Sequence, residues 1–121
     1  LLIDTGHMLF AGGNSIKLTE DFMERIIHIH CKDIRKNVLE KSLKNDSTFR
    51  QAFLDGAFTV PGDGCIDYKP FLTILKNKNY EGWLVVEAEQ DPAKANPFKY
   101  AKIGYNYLNK TAKDCGFEII N

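Results

Sequence analysis

The sequence predicts an α/β protein with a parallel sheet, because apolar strand-like segments alternate with helical segments four times along the chain. The clearest strand is residues 82–90, where large apolar and β-branched residues lead into two carboxylates. With 121 residues, the chain is long enough for one domain and too short for two. We therefore expect a single domain over residues 1–121, with its functional site where the carboxyl ends of the strands meet.

The first two strands and the helix between them are predicted from the spacing of apolar residues. Residues 1–4 form a short apolar strand that ends at Asp4, and apolar residues then recur at helical spacing over 17–25. Residues 26–33 alternate as a strand does. One face of this second strand carries Ile27, Ile29 and Cys31, and the other carries His28, His30 and Lys32.

The rest of the chain continues the alternation. Two helical pieces are expected between residues 34 and 56, separated at the polar residues 45–47. A third strand over 58–60 stops at a Pro-Gly-Asp-Gly turn, and the residues at 71–75 have helical spacing. After the fourth strand, Asn96 and Pro97 are typical of a helix N-cap and first helical residue. The predicted order is thus four strand and helix units in one parallel sheet.

Composition excludes several classes of protein. Sixteen basic residues balance sixteen acidic ones, so net charge gives no reason to expect nucleic acid or a membrane surface as a partner. The three cysteines form no C-x-x-C pair, which argues against a disulfide scaffold or a structural zinc site. No apolar run approaches the roughly twenty residues that a membrane span needs. We expect a soluble cytoplasmic protein.

The predicted strand ends bring acidic and basic side chains to one rim. Asp4 and His7 follow the first strand, His30 and Lys32 end the second, and Glu87 and Glu89 end the fourth. Like charges held close together need a cation between them. An imidazole with carboxylate oxygens suits Mn²⁺, Co²⁺ or Mg²⁺ better than a metal that prefers thiolates.

Each of these residues also has an ordinary structural interpretation. His28 is expected to be a hydrogen-bonded core or rim histidine, whereas His30 is favoured as a ligand. Lys32 and Asp33 are as compatible with a solvated ion pair as with a site. Trp83 is expected to pack against neighbours and not to stack on a sugar.

Four motifs carry a resemblance to a known family: DTGH, HIHCKD, FTVPGDGCIDY and GWLVVEAEQDPAKANP. In this order and spacing they resemble the C-terminal half of the myo-inosose-2 dehydratases, a family of the xylose isomerase-like barrel superfamily. The similarity runs from Leu1 to about Asn109. It implies four βα units that correspond to strands five to eight of a (β/α)₈ TIM barrel, and hence a C-terminal half-barrel fragment.

The resemblance also implies roles for individual residues. Asp4, His30 and Glu87 match the metal ligands, with Glu89 an alternative to Glu87, while a further Glu ligand of the family has no counterpart in this chain. His7 matches the substrate-contacting histidine of the D-x-x-H motif. Catalytic roles are expected for His7, Lys32 and Glu89, and substrate binding for His7 and Lys32. The general base is either one of these residues or a residue outside this chain.

The implied reaction is loss of water from 2-keto-myo-inositol, a small polyol ketone, to give a trihydroxycyclohexane-dione in inositol catabolism. A divalent metal, manganese or cobalt, would make the proton next to the ketone easier to remove. A general acid would assist departure of the hydroxide. The family resemblance further implies glutathione as a cofactor.

Two rival functions remain open at this level. A sugar isomerase or epimerase of the same superfamily would use the same metal and the same proton abstraction. A non-catalytic sugar-binding module would bind a sugar without catalysing a reaction. With part of the barrel wall absent, the fragment by itself is expected to be inactive. Its unpaired sheet edges predict a homodimer or another form of self-association.

Overall fold

The computed structural model describes residues 1–120 of the chain. Within them, five strands occur in the order β1 (Leu2–Asp4), β2 (His28–Cys31), β3 (Asp33–Ile34), β4 (Phe58–Thr59) and β5 (Trp83–Val86). The α-helices are α1 (Thr5–Phe10), α2 (Ser15–Phe22), α3 (Lys36–Lys44), α4 (Phe49–Leu54), α5 (Tyr68–Asn77) and α6 (Pro97–Asp114), with a 3₁₀ turn at Met23–Arg25.

The main sheet has three parallel strands in the order β1-β2-β5. Its register places Asp4 beside His30 and His30 beside Val85, so the carboxyl ends of the three strands lie next to one another. Because a parallel pair needs a crossover connection, helices lie between these strands in the chain. The predicted α/β class with a parallel sheet is confirmed.

The predicted fourth member of that sheet, residues 58–60, is placed elsewhere. Phe58–Thr59 pairs antiparallel with Asp33–Ile34 in a separate two-stranded sheet. Ile34 and Phe58 are both fully buried there and form a second small core with Leu39. An apolar run of this length predicts burial but not its partner, and the expectation of four parallel strands is therefore wrong by one.

The main core lies between the outer face of the sheet and the long helices. Ile3, Ile29 and Cys31 point into it from the strands, with at most 1% of each residue exposed. Helices α5 and α6 cover these residues with the buried side chains Tyr68, Phe71, Leu72, Leu75, Leu108 and Ala112. The opposite face of the sheet therefore carries the alternate residues, including Asp4 and His30.

Helix boundaries agree with the capping residues in the sequence. The side chains of Asn14, Thr48, Asp67 and Asn96 each accept a backbone hydrogen bond at the start of α2, α4, α5 and α6. The predicted break at 45–47 is found between α3 and α4. The helix predicted over 17–25 instead begins at Ser15 and ends at Phe22, with the 3₁₀ turn completing the segment.

Two residues depart from their predicted burial. Trp83 is 71% exposed, so the expectation that it packs against neighbours is not met among the described residues. Ile27 is 73% exposed, although alternation placed it on the core face, because β2 begins only at His28. Among residues 1–120, no helix combines the length and apolar character that crossing a membrane requires.

Candidate metal centre

The turn from β1 into α1 fixes the first acidic group of the site. Asp4 is the last residue of the strand and the N-cap of the helix, and its Oδ1 accepts the backbone N–H of His7 at 2.8 Å. Because Oδ1 makes this capping bond, Oδ2 is directed toward the sheet, 3.6 Å from His7 Nδ1 and 3.8 Å from His30 Nδ1. The D-x-x-H spacing thus places a carboxylate and an imidazole side by side.

Asp4, His30 and Glu87 come together at the carboxyl ends of the three parallel strands. One ligand atom from each lies within 4.8 Å of the other two. His30 Nδ1 is 2.9 Å from Glu87 Oε2. The strand register explains the meeting, since Asp4 pairs with His30 and Glu87 follows directly after β5. The predicted convergence of these side chains is observed, and their role as metal ligands stays a prediction.

The charges and donors of this cluster fit a divalent cation. Glu87 Oε2 is buried and, among residues 1–120, receives no hydrogen bond of acceptable geometry. It lies 2.9 Å from His30 Nδ1 and 3.4 Å from Lys32 Nζ. The carboxylates of Asp4, Glu87 and Glu89 all contact Lys32, which supplies one positive charge against three negative ones. Oxygen-rich ligands with one imidazole suit Mn²⁺, Co²⁺ or Mg²⁺.

Lys32 is the buried cation of the cluster, with 1% of its side chain exposed. Its Nζ lies 3.1 Å from Asp4 Oδ2 and 3.4 Å from Glu87 Oε2, and it donates a hydrogen bond to Glu89. Burial alone lowers the pKa of Lys32, but the hydrogen bond to Glu89 and the charge of Asp4 more than offset it, so that the pKa is raised. Lys32 is therefore an ammonium ion at neutral pH.

His7 and Glu89 form the second half of the cluster. His7 Nε2 is 2.6 Å from Glu89 Oε2 and 3.0 Å from Lys32 Nζ. The His7 ring is held edge-on by the rings of Phe58 and Phe49, at centroid distances of 5.3 and 5.8 Å. With 43% of its side chain exposed, His7 is the member of the cluster that faces the open side.

The backbone beneath the two glutamates differs from the prediction. Both were expected within one strand, but β5 ends at Val86 because its neighbour β2 ends at Cys31. A last backbone bond from Glu87 N to Cys31 O closes the ladder. Glu89 then has a φ of 45°, a left-handed conformation that is uncommon outside glycine. Both carboxylates still reach Lys32, although not by strand alternation.

Asp33 and Lys32 are not a solvated pair. Both are buried, at 0% and 1% exposure. The Asp33 carboxylate accepts backbone N–H groups from Ile34, Gly62 and Ile66, and thus holds the loop after β4. Burial raises the pKa of Asp33 more than these donors lower it.

A further polar cluster, centred on Arg35, was not found by sequence reasoning. The guanidinium donates to Gly56 O at 2.8 Å, Thr59 Oγ1 at 3.1 Å and Asp63 Oδ2 at 2.6 Å. Asp63 belongs to the Pro-Gly-Asp-Gly turn, whose acidic residue between two glycines was the available signal. The buried hydroxyls of Thr5 and Tyr68 were also missed, because a single hydroxyl leaves no pattern in a sequence.

Comparison with known proteins bears on the architecture that carries this site. A family model described as xylose isomerase-like TIM barrel matches residues 1–111. The chain belongs to this family. The family resemblance inferred from the four motifs is thereby confirmed, as is the assignment of the parallel sheet to part of a TIM barrel.

Curated relatives within the xylose isomerase-like family are similar over most of the chain. An inosose dehydratase of Clostridium beijerinckii is 52% identical over 110 residues, which cover 91% of this chain and 37% of that protein. The rhizopine catabolism protein MocC of Rhizobium meliloti is 47% identical over 119 residues, covering 98% and 37%. An inosose dehydratase of Bacillus thuringiensis is 48% identical over 112 residues, covering 93% and 38%. The chain thus spans just over a third of the length of these relatives.

Proposed function

We propose that this chain supplies the C-terminal part of a cytoplasmic inosose dehydratase, which removes water from the polyol ketone 2-keto-myo-inositol. Residues 1–121 would form one structural unit of its barrel. The observation that carries the proposal is the Asp4-His30-Glu87 group, whose ligand atoms lie within 4.8 Å of one another, directly beside the acid and base groups of Lys32, His7 and Glu89. Relatives of similar sequence named inosose dehydratase support the substrate class.

Asp4, His30 and Glu87 are the residues that would hold the metal, which we propose to be Mn²⁺ or Co²⁺. When bound, such an ion polarises a ketone oxygen and so makes the neighbouring C–H bond more acidic. Glu87 is chosen over Glu89 because its oxygen lies in one group with the ligand atoms of Asp4 and His30, whereas the oxygen of Glu89 contacts Lys32 and His7.

Elimination of water requires a base to remove the proton next to the ketone and an acid to protonate the departing hydroxide. His7 Nε2 can share a proton with Glu89 or accept one from Lys32, since both lie within hydrogen-bond distance. We assign His7 the contact with substrate because it is the most exposed of the three. Glu89 then takes up the substrate proton and His7 gives a proton to the departing hydroxide. The proton on Glu89 returns to His7 across their 2.6 Å contact, which restores the starting state, while Lys32 remains an ammonium ion that holds the Glu89 carboxylate in place.

The decisive experiment uses the full-length protein with 2-keto-myo-inositol and Mn²⁺ or Co²⁺. We expect the absorbance of the dione to increase with time. The increase should stop when EDTA chelates the metal, and it should resume when the metal is added back. Formation of an isomerised polyol ketone without dione, followed by NMR, would instead establish an isomerase or epimerase. A protein that binds the ketone but turns nothing over, with no metal after purification, would be a sugar-binding module.

His30 provides a test of the metal site that has its own matched control. His30→Ala removes the only imidazole of the ligand group identified in the described residues, so we expect loss of Mn²⁺ binding and of metal-dependent turnover. His28 lies two residues earlier on the same face of β2, with its ring 5.3 Å from that of His30, but belongs to no such group. His28→Ala should therefore weaken Mn²⁺ binding clearly less than His30→Ala does. Equal Mn²⁺ affinity in the two variants would refute the assignment.

A further inference from the structure

We infer that Thr5, Gly6 and Tyr68 are positioning residues for Lys32: two buried hydroxyls fix its backbone and a bare glycine makes room for its side chain. The geometric part of this inference stands without the proposed reaction, whereas its effect on turnover rests on the proposed function. Together these contacts assign a purpose to each residue of the DTGH motif.

The backbone of Lys32 lies at a break between two sheets. Strand β2 ends at Cys31 and strand β3 begins at Asp33, so Lys32 belongs to neither ladder. A buried backbone N–H and C=O need partners from elsewhere in the protein. The side chains of Thr5 and Tyr68 supply them.

The two hydroxyls form a closed set of hydrogen bonds with Lys32. Thr5 Oγ1 accepts the Lys32 N–H at 3.1 Å and donates to the Lys32 carbonyl at 2.7 Å. Tyr68 OH lies 3.0 Å from the same carbonyl and 2.7 Å from Thr5 Oγ1. All three residues are at most 1% exposed, so water cannot take the place of either hydroxyl.

Gly6 leaves space for the aliphatic part of Lys32. A Cβ atom at Gly6 would lie 2.7 Å from Lys32 Cγ, 2.9 Å from Cβ and 3.0 Å from Cδ, all shorter than ordinary van der Waals contact. Gly6 lies within α1 and has no left-handed φ, so backbone conformation does not require a glycine there. A glycine is required because the aliphatic side chain of Lys32 packs directly against the Cα of Gly6.

The same motif also holds the charged end of Lys32. Asp4 Oδ2 and His7 Nε2 lie 3.1 and 3.0 Å from Nζ. Four successive residues therefore contact one lysine: Thr5 at its backbone, Gly6 at its aliphatic chain, and Asp4 and His7 at its ammonium. A displacement of the ammonium by about 1 Å would alter each of its distances to Asp4, His7, Glu87 and Glu89, and misplacement on that scale can cost about 100-fold in rate.

Gly6→Ala is tested in three backgrounds of the full-length protein: wild type, Lys32→Met and Lys32→Ala. Lys32→Met keeps most of the side chain but loses its charge. Lys32→Ala loses the side chain beyond Cβ. We expect Gly6→Ala to lower the urea midpoint in the wild-type and Lys32→Met backgrounds, and to lower it clearly less in the Lys32→Ala background. In wild type it should reduce kcat at least tenfold, and it should add nothing to the loss in Lys32→Met.

The stability and activity readouts separate the possible failures. An equal shift of the urea midpoint by Gly6→Ala in all three backgrounds would mean that the glycine serves the backbone and not Lys32, and would overturn the inference. A protein without dehydratase turnover would overturn the proposed function, while the urea comparison would still decide the positioning of Lys32.

Tyr68→Phe tests the hydroxyl pair, and Tyr80→Phe is its matched control. Tyr80 is also buried, and its hydroxyl also donates to a backbone carbonyl, that of Trp83 at 3.0 Å, but it does not contact Lys32. We expect Tyr68→Phe to lower kcat about tenfold with KM little changed, and Tyr80→Phe to leave kcat unaltered. Equal kcat in the two variants, with equal loss of stability, would show that the Tyr68 hydroxyl is structural only.

Discussion

Glu87 and Glu89 are the same amino acid two positions apart, yet their surroundings differ. Glu87 Oε2 lies 2.9 Å from His30 Nδ1, in one group with Asp4, whereas Glu89 Oε2 contacts His7 and Lys32. We expect Glu87→Gln to weaken Mn²⁺ binding at least tenfold, because it removes a ligand charge. Glu89→Gln should weaken Mn²⁺ binding clearly less than Glu87→Gln does, and should lower kcat. Isothermal titration with Mn²⁺ measures the first effect, and a reversed order of the two affinities would make Glu89 the ligand.

The convergence of Asp4, His30 and Glu87 was predictable because each follows or ends a strand, and parallel strands bring their carboxyl ends together; their role as metal ligands stays a prediction. The burial of Lys32 could not be predicted, since alternation gives the face on which a residue lies but not its depth. Lys32 is buried because the side chains that surround it come from segments distant in sequence, such as Glu89 and Tyr68. Those contacts depend on tertiary packing, which no local pattern encodes.

At the scale of elements, the loop after β4 depends on one buried carboxylate. Asp33 Oδ1 accepts from Ile34 N at 2.7 Å and Ile66 N at 2.9 Å, and Oδ2 accepts from Gly62 N at 3.3 Å. Asp33→Asn replaces an acceptor by a donor, so we expect a loss of about 1–3 kcal/mol in the free energy of unfolding, measured in urea. Asp67→Asn is the control, because Asn is an equally good N-cap for α5. Equal losses would show that Asp33 does not hold the loop.

The same carboxylate predicts a component of pH-dependent stability. Burial raises the pKa of Asp33 above its ordinary value of 3.8, so the folded chain binds a proton there more readily than the unfolded chain does. The free energy of unfolding contributed by this group should therefore fall as pH rises from about 3.8 through the raised pKa. The Asn variant lacks this component. Urea unfolding at a series of pH values measures the free energy of unfolding of wild type minus that of Asp33→Asn. This difference should fall over that pH range, and an increase would contradict the prediction.

Elements were predictable where local signals set them and unpredictable where partners did. The caps at Asn96 and the break near 45–47 are local features, and both are observed. The Phe58–Thr59 strand was recognised as buried, but nothing within it states that Asp33–Ile34 would be its antiparallel partner. Which strands pair depends on tertiary structure. The number of strands in the parallel sheet was therefore not predictable from local sequence either.

For the molecule as a whole, the sheet ends at β1 on one side and β5 on the other. Neither edge has a further strand among residues 1–120, and Leu2 and Trp83 on these strands are 53% and 71% exposed. Unpaired edges with apolar side chains favour pairing with another chain. We expect the isolated chain to associate with itself and to show no dehydratase turnover, which sedimentation and the dione assay test. A stable monomer of 13.8 kDa would contradict the first expectation.

Trp83 is the single tryptophan of the sequence and lies in one row with Leu2 and His28 across the parallel sheet. Its indole is therefore a natural optical reporter of whatever covers that row. In a monomer of the isolated chain, at a dilution that prevents self-association, its fluorescence should be red-shifted and strongly quenched by acrylamide. Once the row is buried, by a second copy or by the remaining strands of a complete barrel, the emission should move to the blue and the quenching should fall, so that closure of the barrel can be timed without any label.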